Sequence, residues 1–443
     1  MRNDPGMRDG EGLFEAEPVE KKRPQARAAA VDKRFKAFDP HQVLLLPPSL
    51  DDWLPEDRLA RFVADLVDQS LDLSPILAGY TEKRGYPPYH PRLMVRLLIY
   101  GYTTGVRSSR AIQRKCVDDV AFRFLAADQA PDFRSIARFR RHLDALADLF
   151  LRSLHLAQKP GMVKMGRVAL DGTKLEANAS KHKAMSYGRL VDKEERIEAA
   201  DKARRHAEDK ERRRQARAGS SDEQAVTDVG EKAATTARPK PKAQANFTDP
   251  DSRIMKNSDG AYIQAYNAQA VVDEHHQVIT AADVTTNACD ALNYTPMLDQ
   301  SHQNTGIHPE QALADAGYCS ETNLEAARGR RVTCGTDTFM ATGRLGHDEQ
   351  VPPAPRGCIP KDATLKECMA RKLRTKPGRK AYSRRKAIVE PVFWQIMTCQ
   401  NGRRLLLRGE DGARGEWRLL AACHNFRKIF RHVGTAGLAA AIA

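Results

Sequence analysis

Hydrophobic positions first fall into a clear period at Leu59. Leu59, Phe62, Val63, Leu66 and Val67 recur at i, i+3, i+4, i+7 and i+8, which predicts a helix with one buried stripe. Glu56 and Asp57 behind Pro55 suit its acidic first turn. After the Gly85–Tyr89 loop, a second helix is expected near Pro91, with Leu93, Met94, Leu97 and Leu98 inward. A third follows Ser108-Ser109 as a cap, and a fourth follows Ala130-Pro131-Asp132. Ile136, Phe139, Leu143 and Leu146 form one face of the fourth, and Arg134, Arg138 and Arg141 the opposite one. Such a row reads either as a solvated face or as the side of a helix-turn-helix that lies along a DNA groove.

The texture changes after Gly166. Val168-Ala169-Leu170 is a short apolar run that ends at Asp171-Gly172-Thr173, a strand meeting a turn. Tyr262–Val272 and Gln277–Val284 alternate as two strands joined by Asp273-Glu274-His275-His276, a hairpin. A helix from Asp290 to Gln303 leads to Ala312-Leu313-Ala314-Asp315, a second short strand closed by an aspartate. Glu321–Arg328 reads as helix and the surroundings of Val332 as strand, and a basic helix then approaches Glu390. Between these elements, residues 191–218 read as an exposed charged helix and 219–248 as a flexible linker, within an insertion of about 178–250.

Composition adds a partner. The net charge is +15 over 443 residues, and its excess is local. Residues 361–390 hold eleven Lys/Arg against three acids, and residues 400–432 hold eight against three. A phosphate-tracking surface has this signature, as does a solubilising tail. Eight cysteines without a CxxC pair argue against a zinc ribbon and suit a reducing cytosol. No secretory leader and no membrane-length apolar run are visible, so a cytoplasmic chain is expected. The charged segment 1–38 is expected to be disordered.

With the insertion removed, the order is a strand ending in Asp171, a hairpin, a helix, a strand ending in Asp315, and a late helix bearing Glu390. Carboxylates crowded at one sheet edge raise one another's pKa unless a cation compensates. Mg²⁺ takes such oxygen ligands, and two ions can assist an in-line displacement at phosphorus without a covalent protein nucleophile. Each carboxylate alone is an ordinary turn former or ion-pair partner; order and the adjoining basic segments give the set its weight.

The segments Val168–Lys174, Asn178–Lys183, Phe247–Met255, Tyr266–Asp273, Leu313–Tyr318 and Arg384–Phe393 resemble the bacterial insertion-sequence DDE transposases. The likeness is to the group with a Tyr–Arg–Glu–Lys signature around the third carboxylate. Residues 41–143 are similar to its N-terminal helical domain, and Arg414–Trp417 with His424-Asn425-Phe426 to its end. The resemblance implies an α/β fold: an RNase H-like mixed sheet flanked by helices, preceded by an all-α domain of helix-turn-helix type. The expected division is a leader at 1–38, a helical DNA-binding domain at 39–158, a catalytic domain at 159–400 and a basic helical tail at 401–443. It implies Asp171, Asp315 and Glu390 as catalytic and metal-binding residues, with Mg²⁺ or Mn²⁺, two ions, as cofactor. DNA contacts are expected from Arg134, Arg138, Arg141, Lys181, Lys183, Tyr382, Arg385 and Lys386. The partners implied are double-stranded DNA, as terminal inverted repeats and target, and a second copy of the chain in a homodimer or higher complex at the nucleoid. A DNA-binding relative without catalysis is the alternative.

This sequence departs from the signature in two places. Arg385 and Glu390 are one residue further apart than usual, and Met397 stands where the lysine is expected. Lys386 is a candidate replacement, and Pro391 predicts a kink or a helix start. If the lost lysine matters, Met397→Lys should raise activity. His275-His276 reads as a solvated turn with its rings pointing apart. Trp394 and Trp417 read as packing residues or as platforms for unpaired bases.

Overall fold

Local signals account for most helix ends. The His90 side chain accepts from the Arg92 amide and Pro91 follows at the first helical position, so a helix starts there; Gly105 at φ +82° stops it. Asp132 accepts from the Arg134 and Ser135 amides and starts another. The computed structural model describes residues 49–78, 88–141, 143–180, 184–186, 189, 244–257, 259–343, 352–354 and 356–442. The charged leader, Phe38–Leu46, Lys181, Lys183, the charged segment 191–218 and most of the linker lie outside them.

Helices α1 (Leu50–Trp53), α2 (Leu59–Ser70), α3 (Ser74–Ala78), α4 (Pro91–Thr104), α5 (Ser109–Asp118), α6 (Val120–Leu125), α7 (Phe133–Phe139) and α8 (Leu143–Gln158) come first. Phe62, Val63, Leu66 and Val67 on α2, and Leu93, Met94, Leu97 and Leu98 on α4, are buried as their spacing predicts. Glu56 and Asp57 stand outside α2, which begins after Arg58. Ser108 is the N-cap of α5 by position but makes no capping hydrogen bond. The predicted fourth helix is two helices. α7 ends where the buried Arg140 donates to the Arg107 carbonyl and Ser109 Oγ, with its guanidinium over the Tyr102 ring.

Strands β1 (Arg167–Glu176), β5 (Tyr262–Asp273), β6 (Ile279–Thr285), β7 (Gln311–Ala314) and β8 (Asp337–Met340) form one mixed sheet, joined by β4 (Arg253–Lys256). β1 runs antiparallel to β5 and parallel to β7; β8 is parallel to β7; β4 and β6 both pair with β5. An antiparallel meander extended by parallel strands and flanked by helices is the expected RNase H-like arrangement. A small pair, β2 (Ala184–Ser186) with β3 (Gln244–Asn246), places strand where the linker was expected to continue. Val332 is not in a strand: it is 83% exposed in the last turn of a helix, and β8 starts five residues later, after Gly335 at φ +76°.

The later helices are α9 (Tyr294–Thr305), α10 (Glu321–Thr333), α11 (Leu365–Arg374), α12 (Lys376–Thr398), α13 (Glu410–Val433) and α14 (Leu438–Ile442). α12 continues through Pro391, so no helix start is found there. Proline cannot donate to the carbonyl four residues back; the Gln277 side chain donates to that Ala387 carbonyl at 3.0 Å instead. α13 is the centre of the molecule, packed against α4, α8 and β6, with Trp417, Leu420, Cys423 and Phe426 fully buried. The described residues form one compact unit with a continuous apolar core from α2 to α14.

A buried polar joint fastens the helical region to the sheet. Glu416 on α13 accepts from Tyr102 Oη at 2.9 Å, Arg107 Nη2 at 2.7 Å and the Leu406 and Leu407 amides. Arg107 also donates to the Asn401 and Arg404 carbonyls. The same 403–405 segment pairs with Glu176 at the end of β1.

Candidate active site

Asp171 does not end its strand. β1 continues five residues further, held by β5 through Glu176↔Ala265. What ends is the parallel ladder: Leu170 and Ala314 are its last pair, and β7 stops there. Asp171 and Asp315 are therefore the next residue on each of two adjacent strands, at the place where the sheet opens between them. The Asp315 side chain accepts from the Gly317 amide at 2.8 Å and caps a short 3-10 turn.

Arg385, buried on α12, donates through Nη1 to Asp171 Oδ2 at 2.9 Å. Burial pushes the pKa of the nearby Tyr382 hydroxyl up, and the Arg385 charge opposes it. Burial raises the Asp171 pKa to about 6; the Arg385 charge opposes this and the Asp315 charge adds to it. Arg385 was expected as a DNA contact, and here its guanidinium is engaged by a carboxylate.

Glu390 lies on α12 five residues beyond Arg385, exposed, and its side chain has no ion pair or hydrogen bond among the described residues. Among the described residues, no three His, Cys, Asp or Glu side chains are grouped to hold a metal ion. The structure thus brings Asp171 and Asp315 to one opening and does not bring the Glu390 carboxylate into a three-ligand set with them. As donors, the two aspartates fit a divalent ion: hard carboxylate oxygens whose mutual repulsion a cation relieves.

A fourth acid, Asp290, was not foreseen. Its Oδ1 accepts from Lys174 Nζ at 3.0 Å, Asn267 Nδ2 at 2.7 Å and Gln269 Nε2 at 2.9 Å. Tyr318 in turn donates to Gln269 Oε1. A signal was available: Asn267 and Gln269 are polar residues at alternate, same-face positions of a strand that is otherwise apolar there. Gly172 and Gly317 make the room, since a Cβ would stand 2.8 Å from Asp290 Oδ1 at the first and 3.2 Å from Oδ2 at the second.

Beside Asp315 opens a cleft of about 950 Å³ lined by Tyr382, Arg385, Lys386, Arg374 and Arg379. Residues 48–142 match the family model described as Transposase domain (DUF772), and residues 233–426 match Transposase DDE domain. The chain belongs to the insertion-sequence DDE transposases. Asp315 and Glu390 of the transposase lie within the second match and Asp171 lies ahead of it. No curated protein and no solved structure matches it. Membership carries DNA as partner and a dependence on divalent metal that is general to the family. Among the described residues, no helix is long and apolar enough to cross a membrane.

The remaining expected contacts fall in different places. Arg134, Arg138 and Arg141 are exposed at or just beyond α7, and Arg134 also sits over the Phe133 ring. Trp417 is no base platform, because it is fully buried and donates Nε1 to the Gln269 carbonyl; Trp394 is 62% exposed. The His275 and His276 rings do not point apart; they meet edge to face at 4.4 Å, and His276 meets His432 at 4.6 Å. Met397 is half-buried against the core rather than offered to DNA.

Proposed function

We propose that this transposase cleaves DNA at the ends of an insertion sequence and joins the freed 3′ ends to target DNA, with Asp171 and Asp315 as its central metal ligands and Glu390 as the third. The observation that carries the reading is the register of β1 and β7, which sets two carboxylates side by side where the parallel ladder ends. Mg²⁺ or Mn²⁺ held there, as two ions, would activate the attacking oxygen and stabilise the leaving 3′ oxygen. The chain's own part is placement. Arg385 fixes the orientation of Asp171, the Gly317 amide fixes Asp315, and the cations of the neighbouring cleft hold phosphates. Arg134, Arg138 and Arg141 offer a second, separate contact with the duplex. Two DNA ends must be joined together, so a dimer or larger complex on DNA is part of the proposal, acting at the bacterial nucleoid in the cytoplasm.

The alternative, DNA binding without catalysis, has one observation in its favour: Glu390 is not grouped with the aspartates. Asp171→Asn, Asp315→Asn and Glu390→Gln separate the two readings. Each should abolish Mg²⁺-dependent cleavage of a duplex carrying the DNA that flanks the gene, while binding persists. Binding without cleavage in the unaltered chain supports the alternative, and full activity in any variant removes that residue from the mechanism.

A further inference from the structure

The tip of the β5–β6 hairpin grips α12 at two points, one on either side of Arg385. Glu274 accepts from Arg384 Nε at 2.7 Å, and Gln277 Nε2 donates to the Ala387 carbonyl at 3.0 Å. The tip is itself anchored. At the start of β1, the Glu274 amide donates to the Arg167 carbonyl at 2.9 Å, and Glu274 Oε2 accepts from Arg167 Nη1 at 2.8 Å. From α13, the Nε2 of buried His424 lies 3.0 Å from the Gln277 carbonyl, and Lys428 Nζ donates to Gln277 Oε1 at 2.9 Å. One turn thus holds α12 against β1, the strand of Asp171, and against α13.

Gln277 carries a cost for its place. Its backbone is left-handed, at φ +58°, a conformation that glycine adopts freely and glutamine only with strain. What glutamine offers there beyond glycine is a side-chain amide, and both ends of that amide are engaged. The carbonyl it reaches is the one left over by Pro391, four residues on, which has no N–H to give. Ala387 is exposed, so water can satisfy its carbonyl and the glutamine is not needed merely to pair it. Its contribution is placement: a fixed bond to α12 where the helix's own ladder is interrupted, two residues from the arginine that pairs with Asp171.

We propose that Gln277 is a positioning residue for DNA cleavage: it supplies the hydrogen bond that Pro391 removes and so fixes where α12 sets Arg385 on Asp171. The inference rests on the DNA-cleaving reading above and adds to it a residue that lies outside the opening between the two aspartates.

Two substitutions isolate the bond. Gln277→Glu keeps an acceptor for Lys428 and turns the donor facing Ala387 into an oxygen; Pro391→Ala gives the helix back its own N–H at that carbonyl. The full chain is measured in single turnover with Mg²⁺ on a duplex of the DNA flanking the gene, and by amide hydrogen exchange without metal or DNA. Gln277→Glu should slow cleavage at saturating DNA about tenfold, the scale of a reacting group held slightly off its place, with Kd for the duplex within about twofold. Exchange of the 386–396 amides should quicken about fivefold. In the Pro391→Ala background the same substitution should change either readout by less than about twofold, because the helix then closes its own bond. Gln277→Gly, which suits the left-handed backbone and has no side chain, should be slow as well. Losses of equal size with and without Pro391 would put the glutamine's role elsewhere in the turn and overturn the proposal, as would full-rate cleavage or unchanged exchange in Gln277→Glu. In those cases an unaltered chain that cleaves leaves the DNA-cleaving reading standing; an unaltered chain that does not cleave the duplex would overturn that reading and this one with it.

Discussion

Arg385 and Asp171 form a half-enclosed ion pair at 2.9 Å that ties α12 to the central strand, with 10% and 19% of the two side chains exposed. The pair orients Asp171 without making it an ordinary carboxylate. Desolvation outweighs the arginine, and the Asp171 pKa stays near 6. The carboxylate at the opening is therefore held at a cost to the folded state, as functional sites often are.

That cost has a pH signature. The folded pKa of Asp171 lies above its ordinary 3.8, so the native chain holds a proton there that the unfolded chain has released. Stability from this group is present below about pH 4 and is lost as pH rises through about 6. Asp171→Asn removes the titration. Relative to the unaltered chain, it should gain about 2–3 kcal/mol between pH 4 and pH 8, measured by urea unfolding at both. Identical pH slopes in the two chains would show that Asp171 titrates normally.

The Glu416–Arg107 pair is the opposite case, fully enclosed and satisfied by several donors, with 0% and 3% exposure. Removing one charge leaves the other buried and unpaired, which costs about 3–5 kcal/mol. Glu416→Ala should lower the urea midpoint accordingly and loosen the helical region from the 401–407 segment that pairs with β1. Glu416→Gln keeps an acceptor for Tyr102 and the backbone amides and should lose less. A midpoint unmoved by Glu416→Ala would mean the joint carries no stability.

Periodicity was enough to find α2, α4 and the β5–β6 hairpin, because each buries a single face of regular spacing. It placed Asp171 at a strand end for a sound local reason, an apolar run followed by Asp-Gly. The strand continues because β5 supplies a long antiparallel partner that no local pattern announces. Arg140 and Glu416 were illegible for the same cause: a charged residue reads as solvated until its partners, far away in sequence, close over it. Glu390 was found by resemblance and is exposed on α12, so its role rests on likeness and not on contacts. Asp290 was missed because its partners Lys174, Asn267 and Gln269 come from two other strands.

Those partners make Gly172 a sharp test of the polar floor. An added methyl would meet Gln269 Nε2, Asp290 Oδ1 at 2.8 Å and Asn267 Oδ1 at 3.0 Å, all members of one buried network. Gly172→Ala should cost about 1–3 kcal/mol through broken hydrogen bonds, and it should reduce cleavage by displacing the neighbouring Asp171. Gly166→Ala is the control, since nothing lies within 4 Å of its Cβ position. Equal stability of the two variants would show that the network yields without loss.

Met397 bears on whether the missing signature lysine has disabled the protein. From the spacing alone, Met397→Lys would be expected to restore a phosphate contact and raise activity. The side chain is instead half-buried against the apolar core, on a helix whose Val392 and Ile396 are fully enclosed. A lysine there must either bury its ammonium or pull its stem away from the packing, and both cost. Met397→Lys should therefore lower stability by about 1 kcal/mol and leave cleavage no better than before. Lys386, without a side-chain partner among the described residues and lining the cleft beside Asp315, is the cation whose loss should weaken DNA binding. A Met397→Lys chain that cleaves faster at unchanged stability would return position 397 to the DNA surface.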